Sequence, residues 1–284
     1  MNETLIAPAK LNLCLYLGGM REDGLHEIRS LFEPLELADE LLVTRAFGDA
    51  DEVVCEGVEG PNLVDTALAL LREAGWEAPA LRVEVRKRIP VAAGLGGGSA
   101  DAAAVLRLAR GEVEGIGAIA AAIGADVPSQ LEPRPCLVAG AGELIEPVVP
   151  PGRHAIVLVP QPDGLSTAEV YAEADRAGAP RGEKELEVVR RRLHEALGGG
   201  TSPLDYTEHL VNDLQPAALA LRPEIAGALD ALREAGAGHA MVTGSGPTAF
   251  GVFPGPEEAE AAAAALRESF PAALATAPLY GGGR

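Results

Sequence analysis

Aromatic residues make up only 4% of this 284-residue chain, and cysteines number three. Cys14, Cys55 and Cys136 are scattered, and neither their odd count nor their spacing fits a disulfide framework or a zinc site. They read as reduced, mostly buried thiols. No apolar run reaches the length of a transmembrane helix. Basic residues are scarce beside acidic ones, 23 Lys and Arg against 42 Asp and Glu, leaving a net charge of −19. That balance argues against a nucleic-acid partner and against an anionic membrane surface. It leaves room for an anionic small ligand, which responds to its local site. The start, MNETLIAPAK, has no basic segment leading into an apolar core, so no signal peptide is expected and a cytoplasmic location is. No glycine-rich stretch continues into GK[ST], and HRD and DFG are absent, which argues against a Walker A loop and a protein kinase.

The informative stretch is Pro90–Ala100, PVAAGLGGGSA. Before it, in Leu81–Ile89, Leu81, Val83 and Val85 alternate with charged residues, the period of a half-buried strand. After it, Asp101–Ala109 is a run of strong helix formers. The glycines Gly94, Gly96, Gly97 and Gly98 therefore occupy a strand-to-helix turn, with Ser99 where the helix starts. Such a turn lets a ligand approach the backbone, and helix-start amides attract phosphate. A dinucleotide fingerprint fits loosely, but its strand would be apolar on both faces. Here Arg82, Glu84, Arg86 and Arg88 solvate one face, which speaks against a nicotinamide dehydrogenase.

Taken in order, the chain opens with a strand from Leu11 to Leu17, and Pro8 predicts a bend over Ala7–Lys10. Asp23-Gly24 predicts a hairpin turn. Ser30–Ala46 reads as a strand pair turning around Leu37–Asp39, and Val53–Val58 as a short strand. Asn62–Ala74 is a helix capped by Asn62 and striped by Leu63, Ala67, Leu70 and Leu71. A short helix spans Gly115–Gly124. Pro128 biases Val127 away from helix, so Asp126 is placed at a helix end or in a loop. Two strands flank Gly140–Gly142. The Pro150–Gly152 linker marks a boundary between domains 1–150 and 151–284. Beyond it come a buried strand over His154–Pro160 and a helix capped by Ser166 or Thr167. Helices follow over Glu183–Leu197, Glu208–Leu221, Arg222–Ala235 and Glu257–Ser269. Two strands surround Gly244–Thr248, and a last one spans Leu274–Tyr280. This alternation predicts an antiparallel α+β sheet.

By their residue types alone, Lys10 reads as a surface lysine, His26 as a loop histidine and Asp126 as a solvated turn carboxylate. Three motifs in order change that reading: APAKLNL at Ala7–Leu13, the stretch Pro90–Ala100, and VTGSGPTAF at Val242–Phe250. Together they resemble the GHMP kinases, a family of small-molecule kinases, over nearly the whole chain. DGLH at Asp23–His26, GADVP at Gly124–Pro128 and LVNDL at Leu210–Leu214 are similar to members acting in the non-mevalonate route to isoprenoid precursors.

The resemblance implies a two-domain α+β fold, with a ribosomal-protein-S5-like N-terminal domain and a ferredoxin-like C-terminal domain. It implies ATP with Mg²⁺ and a small alcohol carrying a cytidine diphosphate group, phosphorylated on its 2-hydroxyl. Lys10 and Asp126 match the family's catalytic pair. The ATP loop would be Pro90, Val91, Ala92, Ala93, Gly94, Leu95, Gly96, Gly97, Gly98, Ser99 and Ala100, with Ser99 reaching the β-phosphate or its Mg²⁺. Substrate contacts fall on Asn12, Leu25, His26, Thr167 and Tyr171, and the C-terminal turn on Gly244, Ser245 and Gly246. Leu25 stands where the family usually has tyrosine, so the base would lie between Leu25 and Tyr171. The resemblance also leaves open a GHMP kinase acting on another alcohol and a catalytically silent relative, each as monomer or homodimer.

Overall fold

The computed structural model describes residues 2–58 and 62–279. The chain forms two compact units that interleave along the sequence: residues 1–9, 37–91 and 96–133 in the first, and 10–36, 92–95 and 134–284 in the second.

Two long strands, β1 (Asn2–Met20) and β2 (His26–Arg45), pair with each other and divide their residues between the units. In the first unit, β3 (Glu52–Cys55) runs parallel to β4 (Leu81–Arg86), which lies antiparallel to the far end of β2. Leu81, Val83 and Val85 are buried, as their alternation demands. They face α1 (Leu63–Glu73) and α2 (Gly97–Leu106), joined by α3 (Ile116–Ile123) and α4 (Val127–Gln130). Asn62 caps α1 as expected, its Oδ1 accepting the Val64 N–H at 2.9 Å. The buried stripe is Val64, Ala67, Leu68 and Leu71, so the expected stripe is rotated off Leu63 and Leu70.

In the second unit, the near end of β2 pairs with β5 (Cys136–Gly140), and β5 with β6 (Leu144–Pro147). A separate four-stranded sheet contains β7 (Ala155–Val159), whose every residue is buried. The helices α5 (Thr167–Arg176), α6 (Glu183–Leu197), α7 (Gln215–Leu221) and α8 (Ile225–Glu234) follow. The chain continues through β8 (His239–Val242), β9 (Ala249–Phe253), α9 (Pro256–Leu266) and β10 (Leu274–Thr276). The order β10-β7-β9-β8 is antiparallel throughout, the α+β arrangement expected. Alternate strand residues and small helix residues, among them Val157, Val159, Ala218, Ala228 and Ala263, make one apolar core.

Several local expectations are corrected. Pro8 does not bend the chain: β1 passes through it, and a proline fits in a strand wherever no ladder hydrogen bond needs its missing N–H. Residues 37–39 are not a turn but the middle of β2; Asp39 directs its carboxylate to the backbone beyond β4 instead of to a turn of its own. Val127 is helical, since Pro128 falls in the first turn of α4, where no amide hydrogen is needed. Residues 208–214 are not α-helix, because Asn212 and Asp213 hold other segments in place. Tyr280, expected in the last strand, lies outside the described residues. The three cysteines are free thiols, with Cys14 and Cys136 buried. Burial pushes both thiols up to about 12, so they are chemically quiet.

Candidate active site

In the first unit, β4 leads into the glycine stretch and α2 leaves it. Gly96 takes a left-handed conformation (φ 68°) ahead of α2, so Gly97, Gly98 and Ser99 form the first helical turn. The helix therefore begins two residues before the expected Ser99. First-turn amides have no acceptor within their own helix and can serve an anion. Both sides of this turn are tied by one lysine. The Lys87 Nζ donates to Asp39 Oδ2 at 2.5 Å and to Asp101 Oδ2 at 2.8 Å. Asp39 Oδ1 also accepts the backbone N–H groups of Arg88 and Ile89, at 2.6 and 2.8 Å. The residues just before the stretch are thus linked to the helix just after it. Burial lowers the affinity of Lys87 for its proton, but the two aspartates outweigh it and the net shift is upward. Burial likewise pushes the Asp101 carboxyl up, against the pull of Lys87.

Asp126 caps α4 in this unit, half-buried, and its carbonyl accepts the Ser129 hydroxyl at 2.8 Å. A carboxylate here lies at the favourable, N-terminal end of the helix dipole, not at the unfavourable end that a helix C-terminus would give.

The second unit holds the middle of the stretch, Ala92–Leu95, together with Lys10 and the C-terminal turn. The Lys10 backbone N–H donates to the Leu95 carbonyl at 2.9 Å. Gly94 has φ 75°, and a Cβ on it would lie 2.7 Å from the Gly246 carbonyl oxygen, so only glycine allows this approach of the two turns. The Lys10 side chain is buried, its ammonium 2.7 Å from Asn12 Oδ1 and 4.6 Å from the centre of the Phe32 ring. The Asn12 N–H donates to Thr243 Oγ1 at 3.0 Å. Thr167, at the start of α5, shares a 3.0 Å hydroxyl contact with Ser245. Asn212 holds the turn from behind: its Nδ2 donates to the Val242 and Gly244 carbonyls at 2.7 and 2.8 Å. Asp213 accepts both ends of the Arg181 guanidinium fork, at 2.6 and 2.7 Å. These bonds account for the LVNDL motif.

The remaining residues gather at the β1–β2 hairpin. Asp23 Oδ1 accepts the Leu25 N–H at 3.0 Å, which leaves Leu25 52% exposed and His26 buried. The His26 and Tyr171 rings are 5.1 Å apart and tilted by 45°. The His26 Nε2 meets Asp175 Oδ1 at 2.9 Å. A carboxylate only accepts, so Nε2 carries the hydrogen and, in the neutral ring, Nδ1 is left as an acceptor.

Within the second unit the structure thus brings together Lys10, Asn12, Gly94, Leu95, Gly244–Gly246 and Thr167, and pairs His26 with Tyr171. Sequence reading missed Asp175, Ser30, Phe32, Asp39, Lys87 and Asp101. Asp175 lies four residues after Tyr171 on α5, the spacing of one helix face. Ser30 and Phe32 share with His26 the period of one strand face. The partners of Asp39 lie about fifty residues away, and no local pattern marks them.

A family model for the N-terminal domain of GHMP kinases matches residues 62–128, and one for the GHMP kinase C terminus matches 203–272. The chain is 40% identical over 268 residues to the 4-diphosphocytidyl-2-C-methyl-D-erythritol kinase of Kineococcus radiotolerans, covering 86% of this chain and 79% of that one. The enzyme of the same name from Anaeromyxobacter dehalogenans is 38% identical over 282 residues, covering 94% and 86%. The crystal structure of a 4-(cytidine 5'-diphospho)-2C-methyl-D-erythritol kinase superposes with a TM-score of 0.78 at 34% identity, over 96% of this chain and 98% of that one. With this identity extending over most of its length, the chain belongs to the GHMP kinase family.

Proposed function

We propose that this protein uses ATP to phosphorylate the 2-hydroxyl of 4-diphosphocytidyl-2-C-methyl-D-erythritol, in the non-mevalonate route to isoprenoid precursors. The observation that carries the reading is the Lys10–Asn12 pair held against the glycine stretch and the C-terminal turn, with His26 of the β1–β2 hairpin packed against Tyr171 of α5. Relatives matched over most of their length bear that enzyme's name.

Phosphoryl transfer depends on positioning and charge stabilisation more than on covalent chemistry. Asp126 is the proposed base: it takes the proton of the 2-hydroxyl as that oxygen bonds to the γ-phosphorus and the bond to the leaving ADP oxygen breaks. Lys10 stabilises the charge developing on the oxygen. The backbone of Pro90–Ala100 cradles the phosphates. Among the described residues no group of three or more Asp, Glu, His or Cys could hold a metal ion. Mg²⁺ would therefore take most of its ligands from the phosphates and water, as is usual for this ion, with the half-buried Ser99 hydroxyl as the protein's donor. Bound there, it would neutralise phosphate charge. The Nδ1 of His26 accepts from the exocyclic amine of cytosine, between Leu25 and Tyr171, and Asn12 and Thr167 contact the rest of the substrate.

The boundary near Pro150 is part of this reading, since the two family models fall on either side of it. So is a cytoplasmic site of action. Among the described residues no helix is long and apolar enough to cross a membrane.

The exposed Leu25, in place of an aromatic wall, favours a second reading, a GHMP kinase acting on another small alcohol. ADP release, measured with the cytidyl substrate and with homoserine and mevalonate in parallel, separates the two. Turnover with the cytidyl substrate alone, lost in Asp126→Asn with binding retained, is the expected result. Turnover with another alcohol moves the substrate, and near-normal turnover in Asp126→Asn removes the base.

A further inference from the structure

We infer that Ser30 is a positioning residue for the phosphoryl transfer: it sets the orientation of the Asn12 carboxamide and, through it, the direction of the Lys10 ammonium. The inference rests on the reading of Lys10 as a catalytic group. Ser30 lies on β2 and is fully buried. Its Oγ accepts the Asn12 Nδ2–H at 2.8 Å and donates to the Cys14 carbonyl at 2.5 Å. The opposite end of the same amide, Asn12 Oδ1, accepts the Lys10 Nζ–H at 2.7 Å.

The polarity of this relay admits one assignment. An ammonium has no lone pair and only donates. The Asn12 end facing it must therefore be the oxygen, and the NH₂ group must face Ser30. Ser30 can receive that donor because its own hydrogen is engaged by the Cys14 carbonyl. If the amide turned over, its NH₂ would face a cation, donor against donor, inside a buried site where such a mismatch is costly. The frame around Asn12 is equally closed. Thr243 Oγ1 fixes its backbone N–H, and a Cβ on Gly244 would lie 3.1 Å from its Oδ1. Phe32, two residues beyond Ser30 on the same strand face, offers its ring to the ammonium at 4.6 Å. Two neighbouring positions of β2 thus direct a lysine on β1.

The test is a mutant cycle read by ADP release, with the cytidyl substrate and ATP varied separately. Ser30→Ala is expected to lower kcat about tenfold, the effect of one buried hydrogen bond to a reacting group, with KM for ATP unchanged. In an Asn12→Ala background the same change is expected to do almost nothing, because Ser30 acts through Asn12. Ser30→Thr keeps the hydroxyl and is expected to retain most of kcat, whereas Ser30→Val, of the same volume, is expected to lose it. This pair separates the hydroxyl from packing. Equal losses from Ser30→Ala in both backgrounds overturn the inference, as does wild-type kcat in Ser30→Val. Lys10→Met is assayed alongside: full activity there overturns the role of Lys10 and this inference with it. An inactive Lys10→Met beside an additive cycle overturns the role of Ser30 alone.

Discussion

Two enclosed lysines mark the two units, one clamped between helix and strand and one set beside the glycine stretch and the C-terminal turn. Lys87, in the first, is bridged by the carboxylates of Asp39 and Asp101. Lys10, in the second, is directed by the neutral oxygen of Asn12 and the face of Phe32. An ammonium between two aspartates has its charge answered on the spot, and what it contributes is the tie between residues 87–89 and α2. Lys10 lies instead on a strand tied to Leu95 and, through Asn12, to Thr243, where the proposed transfer calls for a cation beside the incipient alkoxide. Both side chains are mostly enclosed, so place in the fold, not exposure, separates the clamp from the proposed catalytic lysine.

The comparison breaks most readily at the lysines themselves. Lys87→Met leaves two carboxylates buried without their cation, and it is expected to lower unfolding stability by about 3–5 kcal/mol. Lys10→Met is expected to lower kcat by about 10²–10⁴-fold while staying near wild type in a urea melt. Should the two variants unfold at the same urea concentration, the distinction fails.

His154 sharpens it. Its Nε2 donates to Glu33 at 2.9 Å and its Nδ1 to the Gly152 carbonyl at 2.7 Å, with both side chains of the pair fully buried. Burial pulls the imidazole down, but the charge and hydrogen bond of Glu33 overcome it, and the net shift is upward from 6.5. The folded state then binds a proton that the unfolded state has released. This stabilisation is complete below about pH 6.5 and is lost as pH rises through the folded pKa. Urea midpoints across that window should fall in the wild type more steeply than in Glu33→Gln. Parallel slopes would place His154 outside the class of structural cations.

The smallest effect belongs to the substrate side. Leu25→Tyr adds a ring opposite Tyr171 and should lower KM for the cytidyl substrate about fivefold, the worth of one aromatic contact. An unchanged KM would mean that the exposed Leu25 is not a wall of the base site.

Much of this architecture was legible before folding was considered. Helix α6 spans the expected Glu183–Leu197, and β4 buries Leu81, Val83 and Val85 as their alternation required. Local signals suffice for such elements because capping and periodicity act within a few residues. They fail where a distant partner takes over a side chain. Asn212 and Asp213 leave a helical pattern because Val242, Gly244 and Arg181 claim their side chains. Pro8 stays within β1, where the local rule for proline predicted a bend.

The family is written in the order of three glycine- and lysine-bearing motifs, and with it the candidate residues. Tertiary structure alone decided what each polar group does. Asp39 finds Lys87 across 48 positions and Ser30 meets Asn12 across 18. A charge or hydroxyl has no role until folding removes water from it and leaves one partner within hydrogen-bond reach.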